Sequence, residues 1–206
     1  MPPNSGKVPE PKLRDFFVFG TRLKCAGKRV IMADKILFWE MTVLEIEFRE
    51  MREEYLDAVL AVYNHYVETS TATFHEKLQT KEEMRGIVFF QNPKYRTYAI
   101  FSGETLCGYV LLARFKSRSA YDCTAEVTIY LKPECAGQGI GRQALAFIEA
   151  FGREQGFHSL MSVITGENTA SIGLFAACGY KKCAHYREVG RKFGRYLDVV
   201  CYQKIL

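Results

Sequence analysis

A short glycine-rich segment between a strand-like run and a helix-like run constrains the fold of this chain more than any other feature. In "TAEVTIYLKPECAGQGIGRQALAFIEAF", alternating apolar residues lead into Gly137, Gly139 and Gly141, and an amphipathic run follows. Glycine lets bare backbone approach a ligand, and the amides at the start of a helix attract negative charge. The segment therefore predicts a strand, an anion-binding turn and a helix, although a tight strand-to-helix turn alone would also explain it.

Two familiar phosphate-binding loops do not fit this segment. A Walker loop needs G-x-x-x-x-G-K-[ST], and no Lys-Ser or Lys-Thr follows these glycines. A dinucleotide fingerprint needs G-x-G-x-x-G, whereas the spacing here is G-x-G-x-G. The segment therefore suits a phosphate ligand of another kind.

From residue 43 onwards, strand-like and helix-like runs follow one another. Strands are predicted at 43–48, 95–101, 104–115, 124–131 and 159–165, and a terminal hairpin at 185–205. Helices are predicted at 53–67, at 81–91 after an N-cap at Thr80, at 140–155 and at 168–178. The first helix carries an apolar stripe of Leu56, Val59, Leu60, Tyr63 and Val67. Because the elements do not alternate strictly, the order predicts a mixed α/β sheet.

The first 40 residues differ from the rest. They begin with "MPPNSGKVPEPK", which holds four of the six prolines, and they carry about +4 of the total charge of +5. We expect an N-terminal extension over residues 1–40, peripheral or partly disordered, and one domain over residues 41–206. A transit peptide, a membrane-touching arm or translated upstream sequence remain open, while the absence of a 7–15-residue apolar core disfavours a secretory signal.

Composition excludes several other classes of protein. The chain is 48% hydrophobic and 25% charged, no apolar run approaches 18 residues, and the part after residue 40 is nearly neutral. We therefore expect no membrane span and no nucleic-acid partner. The seven cysteines are scattered without C-x-x-C spacing, which argues against a zinc site or a disulfide framework and favours the cytoplasm.

The strand before the glycines carries an unusual carboxylate. Alternate side chains of a strand point to opposite faces. One face is apolar, with Ala125, Val127, Ile129 and Leu131. The other is polar, with Thr124, Glu126, Thr128 and Tyr130. A carboxylate in mid-strand is costly unless it is paired or useful, so Glu126 is either a general base or the partner of Lys116 or Arg118.

The glycine segment resembles the loop of the GNAT superfamily of N-acetyltransferases. That loop reads Arg/Gln-x-x-Gly-x-Gly/Ala and wraps the pyrophosphate of coenzyme A; Gly139 and Gly141 match its glycines, and Ala136 occupies its leading position. Further on, "ENTASIGLFAACGY" resembles the Asn-x-x-Ser-x-x-Leu helix of that superfamily. The superfamily often has a tyrosine there as proton donor to the leaving thiolate, and this chain has Phe175 instead.

The resemblance implies a single-domain GNAT-like fold, with a mixed, mostly antiparallel central sheet flanked by helices. It implies acetyl-CoA as co-substrate and no metal. The residues expected to contact coenzyme A are Ile129, Leu131, Gly137, Gln138, Gly139, Ile140, Gly141, Arg142, Asn168 and Ser171.

Three further segments resemble one branch of that superfamily, the phosphinothricin and methionine sulfoximine acetyltransferases. They are "FKSRSAYDCTAEVTIYL", "TSTATF" at 69–74 and "GRKFGRYLDVV" in the tail, and the similarity covers residues 43–206. It implies a small amino-acid-like amine as acceptor. Lys116, Arg118 and Tyr121 are expected to hold its acid group, and Phe74, Thr128 and Tyr130 to line its pocket. An arginine fork suits a carboxylate or phosphinate, although isolated Lys and Arg residues are more often surface charges.

Together these features predict direct acetyl transfer in a ternary complex, with Glu126 as the base. A covalent route through Cys123 or Cys135 is a minor alternative, because no histidine pairs with them in a recognisable pattern. Acetylation of a protein or polyamine by the same scaffold, and a non-catalytic coenzyme-A-binding regulatory domain, also remain open. A homodimer also remains open, because a terminal hairpin exposes the edge of a sheet.

Overall fold

The computed structural model describes residues 45–206, so the expected extension over residues 1–40 lies outside the described residues. The described part contains a seven-stranded sheet in the order β1-β2-β3-β4-β5-β7-β6. Its strands are β1 (Ile46–Glu50), β2 (Arg96–Ser102), β3 (Thr105–Arg114), β4 (Thr124–Leu131), β5 (Ser159–Thr165), β6 (Lys181–Lys192) and β7 (Arg195–Ile205). All neighbours are antiparallel except β4 and β5. The prediction of a mixed, mostly antiparallel sheet is therefore confirmed.

Four helices cover the two faces of the sheet: α1 (Leu56–Thr69), α2 (Lys81–Val88), α3 (Ile140–Glu154) and α4 (Thr169–Ala177). Helices α1 and α2 pack in one apolar cluster with β2 and β3, whereas α3 and α4 belong to a second cluster on the other face. None of the helices within residues 45–206 combines the length and the apolar character that a membrane span requires.

Helix α2 begins where its capping residue predicts. The Thr80 side chain accepts a hydrogen bond from the Glu83 amide while the Glu83 carboxylate accepts one from the Thr80 amide, so α2 starts with a capping box. The α1 stripe is also confirmed, except that Val62 is buried and Leu60 only half-buried.

The two faces of β4 separate as the alternation predicts. Ala125 and Val127 are buried in the cluster that contains α3, and Ile129 and Leu131 pack against it. Tyr130 packs against the opposite cluster, which contains α1. Glu126 therefore lies on the α1 face of the sheet, with the polar side chains of its strand.

The parallel strands β4 and β5 pair over only three positions. Thr124 pairs with Ser159, Ala125 with Leu160 and Glu126 with Met161. Beyond Glu126, β4 continues for five residues that pair only with β3, and β5 continues along β7. The sheet is thus open between the two strands from Glu126 onwards.

The chain ends in the predicted hairpin, formed by β6 and β7. Phe193 and Gly194 make a two-residue turn, with φ angles of 51° and 76°. Positive φ at both positions is typical of the type I′ turn, which is costly for a phenylalanine. Strand β6 is the last strand of the sheet order, so its outer edge pairs with no other strand among residues 45–206.

Candidate active site

A cleft of about 720 Å³ opens where β4 and β5 separate. Its walls are the unpaired half of β4, the end of β5, the glycine segment with the start of α3, one side of α4, and the loop after α1. One cleft therefore contains the predicted anion site, the predicted base and part of the predicted acceptor pocket.

The glycine segment forms one end of this cleft. Gly137 and Gly139 have φ angles of 74° and 82°, in the left-handed region that favours glycine, and a Cβ on either would meet no atom within 4 Å. The amides of residues 137–141 donate to no backbone or side-chain acceptor within residues 45–206. Five consecutive amides without acceptors beside a helix start fit a pyrophosphate well.

Gly141 lines the cleft and also lets two helices pack closely. A Cβ at this position would come 2.9 Å from Leu174 Cδ2, so the absence of a side chain lets α3 approach α4 closely. The Arg142 side chain also lines the cleft and is the cation nearest in sequence to the glycines.

Two of the residues predicted to contact coenzyme A turn their side chains elsewhere. Gln138 donates from Nε2 to the Glu134 carbonyl oxygen at 2.6 Å and is exposed, and Ile140 is buried in the core with 1% exposure. Neither lines the cleft. The groups that they can offer to a ligand in the cleft are therefore those of the backbone.

Helix α4 forms the opposite wall. Asn168 and Ser171 both line the cleft, and Asn168 Oδ1 accepts a hydrogen bond of 3.1 Å from the Ser171 amide. Asn168 therefore caps α4, which is a structural role that its motif did not predict. Phe175 also lines the cleft but is only 2% exposed, because it packs edge-on against Tyr180.

Glu126 lies at the point of the cleft where the strands part. Burial alone raises the pKa of its carboxyl above the ordinary value of 4.5, and no charged or hydrogen-bonding partner within residues 45–206 contributes to the shift. The alternative that Glu126 is ion-paired with Lys116 or Arg118 is thus wrong for this structure. A half-buried carboxylate without a partner can accept a proton from a ligand.

Aromatic side chains line the α1 side of the cleft. Phe74, Thr128 and Tyr130 line it as predicted, together with Tyr66. The Tyr130 ring contacts the rings of Tyr63, Tyr66 and Tyr109 at centroid distances of 5.3, 5.4 and 5.5 Å. Burial raises the pKa of Tyr130, so its phenol stays protonated at neutral pH.

Sequence reasoning missed Tyr66. Its hydroxyl donates to the Leu131 carbonyl oxygen at 2.5 Å and so binds α1 to the end of β4. The only signal for it was its position three residues after Tyr63, a helical spacing that equally suits the core.

Lys116, Arg118 and Tyr121 do not line the cleft. The Lys116 ammonium lies 5.3 Å from the ring centroids of both Phe115 and Tyr121, and Arg118 is exposed at the start of a 3₁₀ turn.

The separated parallel strands, the unsatisfied amides and the unpartnered carboxylate define the class of enzyme that transfers an acetyl group from acetyl-CoA to an amine. Residues 48–201 match the family model described as the acetyltransferase (GNAT) domain, and the chain belongs to this family. Within residues 45–206, no group of three or more His, Cys, Asp or Glu side chains is arranged to hold a metal ion.

Two relatives that are named for the amines they acetylate are similar to this chain over most of its length. The phosphinothricin N-acetyltransferase of Alcaligenes faecalis is 35% identical over 160 residues, which cover 77% of this chain and 81% of that protein. The L-methionine sulfoximine/L-methionine sulfone acetyltransferase of Pseudomonas aeruginosa is 30% identical over 153 residues, 72% of this chain and 87% of that protein.

Solved structures agree with this assignment of the fold. The crystal structure of a GNAT superfamily phosphinothricin acetyltransferase from Sinorhizobium meliloti, in complex with acetyl-CoA, has a TM-score of 0.74 and 28% identity, over 78% of this chain and 88% of that one.

Proposed function

We propose that this chain acetylates the primary amine of a small amino-acid-like acceptor of the phosphinothricin, methionine sulfoximine or methionine sulfone type. The observation that carries the proposal is the position of Glu126. Its carboxylate, which has no charged or hydrogen-bonding partner within residues 45–206, shares one cleft with the glycine segment and with the aromatic side chains of Phe74 and Tyr130. The names of the relatives support the class of acceptor.

The chain's own groups suit the donor. The amides of residues 137–141 and the Arg142 side chain would hold the pyrophosphate of coenzyme A, and Ile129 and Leu131 would contact the pantetheine arm. Bound acetyl-CoA supplies a thioester whose carbonyl the acceptor amine attacks directly. The open edge of β4 beyond Glu126 offers strand amides, and each well-aimed amide stabilises an oxyanion by about 3–4 kcal/mol.

Glu126 takes up the proton that the acceptor must lose. An amino-acid-like acceptor arrives as an ammonium, which cannot attack a carbonyl until it is deprotonated. Because burial raises the pKa of Glu126, its carboxylate is a stronger base than an exposed glutamate. General-base help of this kind is typically worth about 10²- to 10⁴-fold in rate.

The acid group of the acceptor requires a cation. We assign this role to Lys116 and Arg118 with Tyr121, on the loop between β3 and β4, and the pocket walls to Phe74, Thr128 and Tyr130. The support is the similarity of this chain to acetyltransferases of phosphinothricin and methionine sulfoximine, since the three side chains do not line the cleft in this structure.

We also propose that the enzyme is a cytoplasmic homodimer, and that residues 41–206 carry the activity without residues 1–40. The exposed edge of β6 supports dimerisation, since Tyr186 and Val189 on this strand are 51% and 60% exposed. The near-neutral charge after residue 40 supports neither a nucleic-acid nor a membrane partner.

A thiol-release assay with a panel of acceptors tests the proposed activity. Phosphinothricin, methionine sulfoximine and methionine sulfone should release coenzyme A from acetyl-CoA faster than spermidine, free lysine or a peptide with a free N-terminus. Turnover with a polyamine or peptide alone would move the acceptor to the alternative class. Tight coenzyme A binding without turnover on any acceptor would favour a regulatory domain.

A further inference from the structure

The loop that follows α1 has an unusual hydrogen-bond pattern. We call residues 70–74 the acceptor loop, because Ala72 and Phe74 line the cleft on its aromatic side. Its first four carbonyl oxygens each accept a hydrogen bond from a side chain. Lys192 Nζ donates to Ser70 O at 2.8 Å and to Thr73 O at 2.9 Å, Thr165 Oγ1 donates to Thr71 O at 2.5 Å, and the Tyr130 hydroxyl donates to Ala72 O at 3.0 Å.

These donors come from both sides of the opening in the sheet. Tyr130 belongs to β4 and Thr165 to β5, the two strands that stop pairing at Glu126 and Met161. The acceptor loop therefore bridges the gap between them on the α1 face. Surface loops usually leave such carbonyls to water, so four successive carbonyls bound by three side chains indicate that the position of this loop matters.

Lys192 contributes two of these four bonds and is the most unusual of the donors. It is 1% exposed, and its ammonium is within 3.5 Å of a third carbonyl oxygen, that of Tyr66. No carboxylate within residues 45–206 lies within ion-pair distance of it, and burial lowers its pKa. The Lys192 ammonium also lies 4.9 Å from the centroid of the Phe193 ring. A buried charge without a carboxylate at ion-pair distance destabilises the fold, and an apolar side chain would be more favourable if packing were its only purpose.

The same hairpin touches the acceptor loop at two further places. A Cβ on Gly190 would come 2.1 Å from Phe74 Cε2, so the bare backbone of β6 supports the Phe74 ring. Arg195 makes a bidentate ion pair with Glu167 at 2.5 and 2.7 Å, and Glu167 Oε1 accepts a hydrogen bond of 2.6 Å from Thr71 Oγ1. The hairpin thus holds the acceptor loop in three ways. Lys192 binds its carbonyl oxygens, Gly190 packs against the Phe74 ring, and Arg195 acts through Glu167 on the Thr71 hydroxyl.

We propose that Lys192 is a positioning residue for the acceptor. Its ammonium holds the acceptor loop across the gap between β4 and β5, and the loop in turn sets Phe74 as the wall of the acceptor pocket. Lys192 touches neither the acceptor nor coenzyme A and acts only through the loop. The inference rests on the proposed N-acetyltransferase function, and it assigns the tail hairpin a part in acceptor binding.

A second lysine of the hairpin provides a matched control. Lys204 lies on β7, and its ammonium donates to Glu149 Oε2 at 2.7 Å and to Cys178 O at 2.9 Å. It therefore ties β7 to α3 and to the end of α4, and makes no contact with the acceptor loop. A variant that lacks the Lys204 charge therefore measures how much stability is lost when a half-buried lysine is removed from this hairpin.

The test compares Lys192→Met with Lys204→Met. We expect Lys192→Met to raise the KM for methionine sulfoximine about tenfold, as the loss of charged hydrogen bonds permits, while the Kd for coenzyme A changes by less than about twofold. Amide hydrogen exchange of residues 71–75 should become faster. Lys204→Met should lower the Tm but change neither this KM nor that exchange, and Lys192→Arg should restore part of the acceptor affinity.

Two results overturn the proposal. One is a Lys192→Met enzyme whose acceptor KM stays near that of the wild type or rises no more than that of Lys204→Met. The other is unchanged exchange of residues 71–75, a measurement that needs no turnover and so separates failure of this proposal from failure of the proposed function. If Lys192→Met does not fold, Gly190→Ala replaces it, since its Cβ displaces Phe74; an unchanged acceptor KM then counts against the proposal in the same way.

Discussion

Glu126 of β4 and Met161 of β5 are the last paired residues of the only parallel strand pair in the described sheet. A strand pair that ends at this point exposes the β4 edge immediately beyond the carboxylate, on the side where the glycine segment begins. The candidate base, the unpaired strand edge and the candidate anion site therefore lie within one cleft.

Replacement of Glu126 by glutamine should separate proton transfer from binding. The amide keeps the shape of the side chain but cannot accept the ammonium proton, so kcat should fall by about 10²-fold or more at neutral pH while the Kd for coenzyme A changes little. The deficit should shrink as pH rises, because more acceptor arrives already neutral. The acidic limb of the wild-type kcat/KM profile should lie above 4.5, since burial raises the pKa of Glu126. A near-normal kcat would leave deprotonation to water or to another group.

The same variant should show a pH-dependent gain in stability. The folded-state pKa of Glu126 is raised above its ordinary value of 4.5, so between these two values the folded protein binds more protons than the unfolded chain. The free energy of unfolding of the wild type should therefore fall as pH rises through this window. Relative to the wild type, Glu126→Gln should become more stable from about pH 4.5 upwards and level off above the raised pKa. Denaturant unfolding at pH 4, 6 and 8 measures the difference, and a pH-independent difference would contradict the assigned burial.

Two substitutions of Gly139 should weaken coenzyme A binding to different extents. Gly139→Ala forces a residue with a Cβ into the left-handed region, at a cost of about 1 kcal/mol in stability, and leaves the space above the turn open. Gly139→Glu adds a negative charge beside the unsatisfied amides and should abolish binding in calorimetry. Gly86→Ala, in the exposed interior of α2, is the control and should stabilise the fold by about 0.5–1 kcal/mol. Unchanged affinity in a folded Gly139→Glu protein would exclude the glycine segment as the pyrophosphate site.

Removal of a cation from the loop between β3 and β4 should raise KM rather than lower kcat. Lys116→Ala and Arg118→Ala each remove a charge expected at the acid group of the acceptor, so KM for methionine sulfoximine should rise about tenfold for whichever residue binds it. KM for the methyl ester, which lacks the carboxylate, should change little. Arg52→Ala, at an exposed position outside the cleft, is the control. If both variants bind acid and ester as the wild type does, the acceptor is held by other residues.

Much of the fold followed from local patterns. The two faces of β4 appear in the alternation from Ala125 to Leu131, and the start of α2 appears in the N-cap at Thr80. The glycine segment was equally informative, because left-handed turns and helix starts have their own local chemistry. Even so, the motif could not show that the Gln138 and Ile140 side chains point away from the cleft, since that depends on how α3 packs.

The sequence by itself thus determined the order of the elements and the glycine turn, and it predicted the candidate base. The tertiary structure decided where β4 and β5 separate, that Glu126 has no charged or hydrogen-bonding partner within residues 45–206, and that Lys192 holds Ser70 and Thr73. The physical reason is the distance along the chain between the residues that interact. Periodicity and capping depend on neighbours a few residues apart, whereas the bond from Lys192 to Thr73 joins groups 119 residues apart in the chain. Such contacts exist only after the sheet has assembled, and no local pattern of residues encodes them.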